Sequence, residues 1–450
     1  MYSVTQDYID KATAAGRVYS VQLIIDIPPE EEITPPEENP DETPTETPEE
    51  PSDTSTVVGG ADVLSMKIVR GQTTGSFTLG NTVCASLEAT VANRVKVRVN
   101  DSIHVQIRFG EGESATEWQS LGYFFVDSIK QSQYTKSIIA YDVMLQFSRI
   151  YNSELEYPAK VSSILEEIGR QTGAGFSENV HLFNDVEVSE KPQGGSQSYY
   201  TRRNVLGYMA GINGGSAYID VDGAINISAP TETDFTISSA SVTEQAVQDT
   251  NYSVRGVVWN TANQSLSVGD NYVINTIDVY NPLSFASQDQ VLENLKSNLV
   301  GLAFDSVTIK KQGTGMFQLG DLINYEASDD KTYRMLVMGV VYDFSDGFFF
   351  ETLYSMAQSS SQQRNQGNKV NQDIPTFEFP DTPAPAPLPG DIGNFAYTTG
   401  IHFKENGFDL DFVTTNGTES TNEFTLESVN GKIAKIINVT AKKEIDISYE

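Results

Sequence analysis

The stretch Tyr200–Ser228, YTRRNVLGYMAGINGGSAYIDVDGAINIS, predicts a short helix laid on a β-hairpin. The apolar residues at helical spacing are Val205, Leu206, Met209 and Ile212. Either Thr201 or Asn204 is suited to cap the start of this helix. Gly214 and Gly215 end it, because glycine takes the left-handed conformation that a helix terminus requires.

The second half of the stretch predicts two strands, Ala217–Asp220 and Ala224–Ser228, joined by the loop Val221-Asp222-Gly223. A three-residue loop with its glycine in the left-handed region places Ile219 opposite Ile225. A two-residue loop would put these side chains on opposite faces, so the hydrophobic pattern favours the longer loop.

The composition limits the classes of protein and of binding partner. At 450 residues the chain is expected to form two to four domains. The net charge of −32 argues against specific nucleic-acid binding through phosphates. The start of the chain shows no signal peptide, and no apolar run reaches the length of a membrane span. We expect a soluble protein that is made in the cytoplasm.

The first predicted domain, 1–150, combines a helix at Thr5–Ala15 with a series of strands. It contains an insert, 28–56, with 11 acidic residues, eight prolines and no basic residue, which predicts disorder. The insert is either an acidic docking tail or a tolerated loop between two paired strands. Because long loops cost little entropy, the loop is the favoured interpretation.

Alternating residues at Val91–Val99 predict a strand with one valine face and one basic face. The basic face consists of Arg94, Lys96 and Arg98, which are the candidates for a partner interface. The alternative is a solvated outer face, which the prevalence of charged residues on protein surfaces favours.

The remaining chain predicts four further regions: an α/β domain at 151–233, a second β-rich domain at 234–358, a Ser/Gln/Pro-rich linker at 359–390 and a small β module at 391–450. Helices are predicted at Ala140–Tyr151, Ala159–Arg170 and Asp289–Leu299 from the spacing of apolar residues. The fold class is therefore mainly β with an α+β insertion.

Several motifs follow one another in the order found in a known family. They are LGYFFVDSIKQ at 121–131, AYDVML with Tyr141 and Asp142, the helix at 159–170, the helix–hairpin stretch with Gly214, Gly215, Asp222 and Gly223, the turn Asn281-Pro282, and the segment Leu319–Ile323 with Gly320 and Asp321. Together they resemble the hub, or tail-associated, structural proteins at the tip of phage tails.

This resemblance implies a homotrimer with two β-barrel-like domains per chain, beside the small α/β domain. The barrels would form a pseudo-sixfold ring that matches a hexameric distal tail or tail tube protein and closes or conducts the DNA channel. The implied partners also include the tape-measure protein and a fibre or receptor-binding protein, and the implied location is the virion. The acidic insert and the short C-terminal module depart from the family pattern and leave the host-facing role open.

No pattern predicts catalysis, a metal or a cofactor. The histidines His104, His181 and His402 lie in three separate regions, and the single Cys84 predicts a buried structural thiol. The sequence Asp220-Val-Asp222-Gly223 lacks the glycine spacing of an EF-hand and is interpreted as a turn. The alternative function is a tail-tip adhesin, or a cell-wall-binding or cell-wall-hydrolysing protein, that acts through the module at 391–450.

Overall fold

The computed structural model describes residues 1–14, 16–26, 55–74, 77–177, 186–193, 199–261, 264–270, 276–345 and 347–356, with the backbone alone at 249–251. It also describes the backbone of five strands between 396 and 446. Most of the acidic insert, the whole linker at 359–390 and His181 lie outside the described residues. The chain forms two units, Met1–Ile374 and Pro375–Glu450.

Four α-helices lie in the described part of the first unit. They are α1 Gln6–Thr13, α2 Val161–Thr172, α3 Arg202–Ile212 and α4 Gln288–Leu299. Short 3-10 helices occur at Gly60–Asp62, Gly112–Ser114, Val143–Ser148 and Ser239–Ser241.

Most of the first unit is β-structure. Its described strands are β1 Tyr19–Asp26, β2 Ser55–Gly59, β3 Val63–Gly71, β4 Thr82–Val83, β5 Ser86–Ala92, β6 Ser102–Phe109, β7 Gln119–Gln131, β8 Thr135–Tyr141, β9 Ala159–Lys160, β10 Glu187–Val188, β11 Ala217–Ile219, β12 Ile225–Ile227, β13 Thr231–Ser238, β14 Val242–Ser253, β15 Gly256–Asn260, β16 Ser265–Gly269, β17 Thr276–Tyr280, β18 Ala303–Gln312, β19 Asp321–Glu326, β20 Thr332–Leu336, β21 Gly339–Ser345 and β22 Phe348–Ser355.

One antiparallel sheet of 11 strands spans the first unit, in the order β14-β18-β22-β21-β3-β5-β8-β7-β6-β1-β2. It joins strands from the predicted regions 1–150 and 234–358 through the pair β3–β21. The mainly β fold class is confirmed. The two barrel-like domains are not, because no pairing among the described strands closes this sheet. The strands that flank the acidic insert, β1 and β2, are paired.

The joint between β3 and β21 brings two glycines face to face. Gly71 pairs with Gly339 in the register of the two strands. A Cβ on Gly71 would lie 2.3 Å from the carbonyl oxygen of Met338, and one on Gly339 would lie 2.3 Å from that of Gln72. No side chain fits at either position, so the joint requires glycine on both strands.

The helix–hairpin unit forms as predicted. Thr201 and Asn204 cap α3 reciprocally: the Thr201 hydroxyl accepts from the Asn204 amide at 3.1 Å, and the Asn204 side chain accepts from the Thr201 amide at 3.0 Å. In the hairpin Ile219 pairs with Ile225, and Gly223 has a φ of 81°. Helix α3 packs on the loop before β4 so closely that a Cβ on Gly207 would lie 2.4 Å from the oxygen of Gly80.

Three other predicted elements differ in extent. The predicted helix at Ala140–Tyr151 is only the 3-10 turn Val143–Ser148, because β8 continues through Tyr141 with Ala140 buried in the sheet. Helix α2 begins two residues later than predicted, since Ala159 and Lys160 pair with β10. Helix α4 begins at Gln288, one residue before the predicted start.

Two hydrophobic cores fill the first unit. One lies around α2, α3, α4 and the hairpin, and includes Trp259 and Phe304. The other lies between α1 and the large sheet, where Tyr8 packs edge-on against Phe109 at 5.2 Å. Because the second core takes residues from both predicted β regions, these regions fold as one body around it.

A buried ion pair lies at the edge of this second core. The Glu351 carboxylate accepts hydrogen bonds from the Lys311 ammonium, from the Thr314 hydroxyl at 2.8 Å and from the Gly315 amide at 3.0 Å. Burial lowers the pKa of Lys311, and the facing Glu351 opposes that shift. The carboxylate is thus satisfied on both oxygens, as a buried charge requires.

The second unit contains a five-stranded antiparallel sheet in sequential order. Its strands are β23 Ala396–Lys404, β24 Gly407–Thr414, β25 Glu419–Val429, β26 Lys432–Asn438 and β27 Lys443–Asp446. These strands lie within the region 391–450.

The glycine joint leads to a testable expectation. Gly339→Ala is expected to lower the free energy of unfolding by roughly 2–3 kcal/mol, because the new Cβ overlaps backbone atoms that cannot move independently. Urea unfolding followed by circular dichroism measures the loss. Gly175→Ala is the matched control, since nothing lies within 4 Å of its Cβ position. Equal midpoints for the two variants would contradict the expectation.

Candidate assembly surface

The outer face of strands β2, β1, β6, β7 and β8 carries exposed apolar side chains. We call the following set the outer apolar face: Val57, Tyr123, Phe125 and Ile139, which are 61%, 38%, 38% and 40% exposed. Three half-buried residues also belong to this face. Ile24 and His104 lie between Val57 and Tyr123 in the paired strands, and Tyr141 lies opposite Phe125. The inward residues of the same strands are buried in the second core. On the outward side the apolar residues lie beside polar ones, since Gln22 bonds Gln106 and Ser102 bonds Asp26 there.

Tyr123 and His104 form the centre of the outer apolar face. Their rings stack with centroids 3.9 Å apart. His104 Nε2 lies 3.0 Å from the Ser120 hydroxyl, which donates at 2.5 Å to the carbonyl of Val221. Burial lowers the pKa of His104, so the imidazole is neutral at pH 7. The hairpin loop thus borders the outer apolar face, with Gly223 against the Tyr123 ring.

A buried arginine fixes the hairpin to the sheet behind this face. The Arg70 guanidinium donates to the carbonyls of Ile219 and Leu121, each at 2.7 Å. Gly122 provides the room, because a Cβ there would lie 2.1 Å from Arg70 Nη2. Arg70, only 4% exposed, therefore holds β3, β7 and the hairpin in one arrangement.

The AYD motif forms a capped turn. The Asp142 carboxylate accepts from the amides of Ala85 at 2.8 Å and Met144 at 3.0 Å, and from the Cys84 thiol at 3.2 Å. Burial raises the pKa of Asp142 to about 6, although these donors oppose the shift. Burial, reinforced by Asp142, raises the pKa of Cys84, so this half-buried thiol is not activated as a nucleophile.

The remaining motif residues form turns and close backbone contacts. Gly214, with a φ of 76°, follows the end of α3, and a Cβ on Gly215 would lie 2.7 Å from the Ala229 amide. A Cβ on Gly320 would lie 2.6 Å from the Ala229 oxygen. Asp321 accepts from the Gln318 amide at 2.7 Å.

The two other turns are held by side chains that bond the backbone. Buried Asn281 precedes Pro282, donates to the Tyr208 carbonyl at 2.9 Å and accepts from the Leu283 amide at 3.1 Å. Asp220 accepts from the amides of Asp222 at 3.0 Å and Ala224 at 2.9 Å, which makes the predicted turn.

The basic residues lie in a loop and not in the predicted strand. Strand β5 ends at Ala92, and a turn follows in which the Val95 amide donates to the Ala92 carbonyl at 3.0 Å. Val95 and Val97 still point inward, but Val99 is 51% exposed. Arg94, Lys96 and Arg98 point outward, and Arg94 pairs with Asp62 at 2.7 Å. The strand prediction was wrong beyond Ala92 because alternation alone does not supply a pairing partner.

The described residues contain no group of three histidine, cysteine or acidic side chains that could hold a metal ion. In that same part of the chain, no helix is long and apolar enough to cross a membrane.

Two features of the candidate surface were missed from the sequence. The outer apolar face had a signal, since Tyr123 and Phe125 alternate with the equally apolar Phe124 and Val126 in GYFFVD. A strand that is apolar on both sides indicates that both sides are covered. Arg70 had no signal, because nothing near it in sequence distinguishes a buried arginine from an exposed one.

No protein-family model and no curated protein sequence matches the chain. Among solved structures, a tail protein of Neisseria meningitidis aligns with a TM-score of 0.47 and 10% identity, over 77% of this chain and 99% of its own. A 43 kDa prophage tail protein of Shewanella oneidensis aligns with a TM-score of 0.42 and 10% identity, over 68% of this chain and 97% of its own. A prophage tail protein of Listeria monocytogenes aligns with a TM-score of 0.41 and 11% identity, over 69% of this chain and 94% of its own. The first is a tail protein, and the other two are prophage tail proteins. The sequence motifs resemble this same class.

The raised pKa of Asp142 predicts a pH dependence of stability. Because its folded pKa lies above the ordinary value of 3.8, the protonated carboxyl stabilises the fold below that value. This contribution, at most about 3 kcal/mol, is lost as the pH rises from about 4 through about 6.

Urea unfolding of the native chain and of Asp142→Asn at about pH 4, 5, 6 and 7 checks this expectation. The stability of the native chain relative to the variant is expected to fall across that range, since asparagine does not titrate. A difference between the native chain and Asp142→Asn that stays constant across this range would contradict the assignment.

Proposed function

We propose that the chain is a structural hub protein at the distal tip of a phage or phage-like tail. Three copies assemble around the tail axis, adapt the sixfold tail tube or distal ring to a threefold tip, and close or conduct the DNA channel. Its role is assembly and not catalysis. The ordered motifs from 121 to 323 supply the class of protein in this proposal.

The observation that carries the proposal is the outer apolar face. An antiparallel sheet with one side in a core normally presents polar side chains on its other side. Here the other side presents two aromatic rings and two aliphatic side chains across neighbouring strands. A contiguous apolar patch on a sheet marks a surface that another protein covers. A neighbouring copy of the chain is the occupant that a closed ring of hubs requires.

The charge distribution suits the other partners. With a net charge of −32, a channel lined by this chain repels DNA and does not retain it during transit. Arg94, Lys96 and Arg98 then face away from the axis, toward the hexameric distal tail or tube protein. The tape-measure protein occupies the channel before the genome passes. The second unit serves as an attachment point for a fibre or receptor-binding protein.

Light scattering of the protein with its ring partner tests the assembly. The native chain is expected to contribute three copies, each of 49.4 kDa. The double variant Tyr123→Ser, Phe125→Ser is expected to raise the midpoint concentration of assembly at least about tenfold, because two aromatic anchors per copy are lost.

Phe348→Ser is the matched control, since Phe348 is an exposed aromatic residue (61%) on β22, outside the outer apolar face. Circular dichroism at increasing temperature verifies that all variants are folded. A stable dimer of the native chain, or equal assembly by the double variant and the control, would disprove the proposed arrangement.

A further inference from the structure

Two arginines lie opposite each other where the chain enters α3. The residues just before this helix pair in antiparallel fashion with an earlier extended segment, through the bridge between Ile150 and Thr201. On one side of the bridge the Arg202 amide donates to the Arg149 carbonyl at 3.0 Å. Arg149 is therefore the cross-strand neighbour of Arg202. We call these two residues the arginine pair.

The arginine pair has no acidic partner in the part of the chain that the structure describes. No carboxylate there lies within ion-pair distance of either guanidinium. Arg202 Nε donates to Gln171 Oε1 at 2.9 Å, which is a neutral acceptor. The buried acid of this region, Glu167, accepts from the Tyr151 hydroxyl at 2.5 Å and from the Glu154 amide at 2.7 Å. Its carboxylate therefore serves the core and does not neutralise the pair.

The arrangement is unfavourable in the free chain. Like charges directly opposite each other destabilise a strand pair. Burial, together with the charge of Arg149, lowers the pKa of Arg202. A guanidinium nevertheless stays charged at neutral pH. The pair thus concentrates two positive charges on a chain whose net charge is −32.

Two exposed apolar side chains flank the arginine pair in sequence. Ile150 follows Arg149 and is 45% exposed, and Tyr199 lies three residues before Arg202 and is 52% exposed. Arginine and tyrosine are enriched among the residues that carry the binding energy of protein interfaces. The surface therefore combines positive charge with apolar area.

We infer that the arginine pair binds a carboxylate in an acidic segment of a protein partner, while apolar residues of that segment contact Ile150 and Tyr199. Two guanidiniums can donate to both oxygens of one carboxylate, and such charge-assisted hydrogen bonds are strong. The apolar flanks favour a peptide over a nucleic acid, and the net charge of −32 repels a long polyanion. The inference does not depend on the proposed function, since the arginine pair is not part of the outer apolar face.

A fluorescein-labelled peptide of alternating glutamate and leucine serves as the probe, and its fluorescence anisotropy reports binding to the full chain. At about 0.15 M salt, charges more than about 8 Å away are largely screened, so the net negative charge of the chain opposes local binding little. The same peptide with glutamine in place of glutamate is expected to bind at least about tenfold more weakly, because it lacks the carboxylates.

The site is located by the double variant Arg149→Gln, Arg202→Gln. It is expected to bind the glutamate peptide at least about tenfold more weakly than the native chain, because the carboxylate loses both donors. The matched control is the double variant Lys130→Gln, Arg255→Gln, which removes the same charge from exposed positions elsewhere. Its binding is expected to change less than about twofold, since screening weakens distant charges.

Urea unfolding of the free chain distinguishes a binding role from a structural one. Arg149→Gln is expected to unfold at a higher urea concentration than the native chain, because it removes one of two repelling charges. Replacing an arginine that stabilises the fold would lower this midpoint instead.

Three outcomes would overturn the inference. Equal binding of the glutamate peptide by the native chain and the arginine double variant would place the peptide elsewhere. A lower urea midpoint for Arg149→Gln would show that the chain itself supplies the anion. Tighter binding of a labelled single-stranded DNA oligonucleotide than of the glutamate peptide would identify a nucleic acid as the occupant.

Discussion

The contact of Gly71 with Gly339 is the constraint on which the first unit depends. The two strands approach so closely that a Cβ on either glycine would overlap backbone atoms of the other strand. This approach joins strands from opposite ends of the unit into one sheet of 11 strands. The pairing runs from this contact to Met66 and Phe344, and the second core takes residues from both halves of the sheet. Backbone geometry, more than any side chain, therefore determines how the halves are combined.

Arg70 extends the same constraint to the α/β part of the chain. It lies one residue before Gly71, and its guanidinium reaches the carbonyls of both β7 and β11. Such charge-assisted bonds to backbone carbonyls are directional, so the hairpin has one position relative to the sheet. The hairpin loop then meets Tyr123 at the border of the outer apolar face. The joint, the arginine and the proposed assembly surface thus form one connected path through the protein.

The sequence predicted the elements whose causes are local and missed those whose causes are distant. The capping pair Thr201 and Asn204, and the apolar spacing in α3, act within one helix and were readable. The valine alternation after Ala92 was also readable, but a strand needs a partner, and the loop to Ser102 has none. The pairing of β3 with β21 left no local trace, since a glycine in a strand does not reveal what approaches it. For the same reason nothing in the sequence indicated the single 11-stranded sheet, in which the two predicted barrels are not confirmed.

The distance in sequence between β3 and β21 has a consequence for biosynthesis. During translation the edge of β3 stays unpaired until residues up to Ser345 have left the ribosome. Pairing over such a separation must close a long loop before it gains stabilising contacts, so the sheet forms late and slowly. A partly made chain meanwhile presents an open strand edge and an exposed apolar layer, both of which promote aggregation. The interval between the synthesis of β3 and that of β21 is therefore the one in which the nascent chain is most exposed to aggregation.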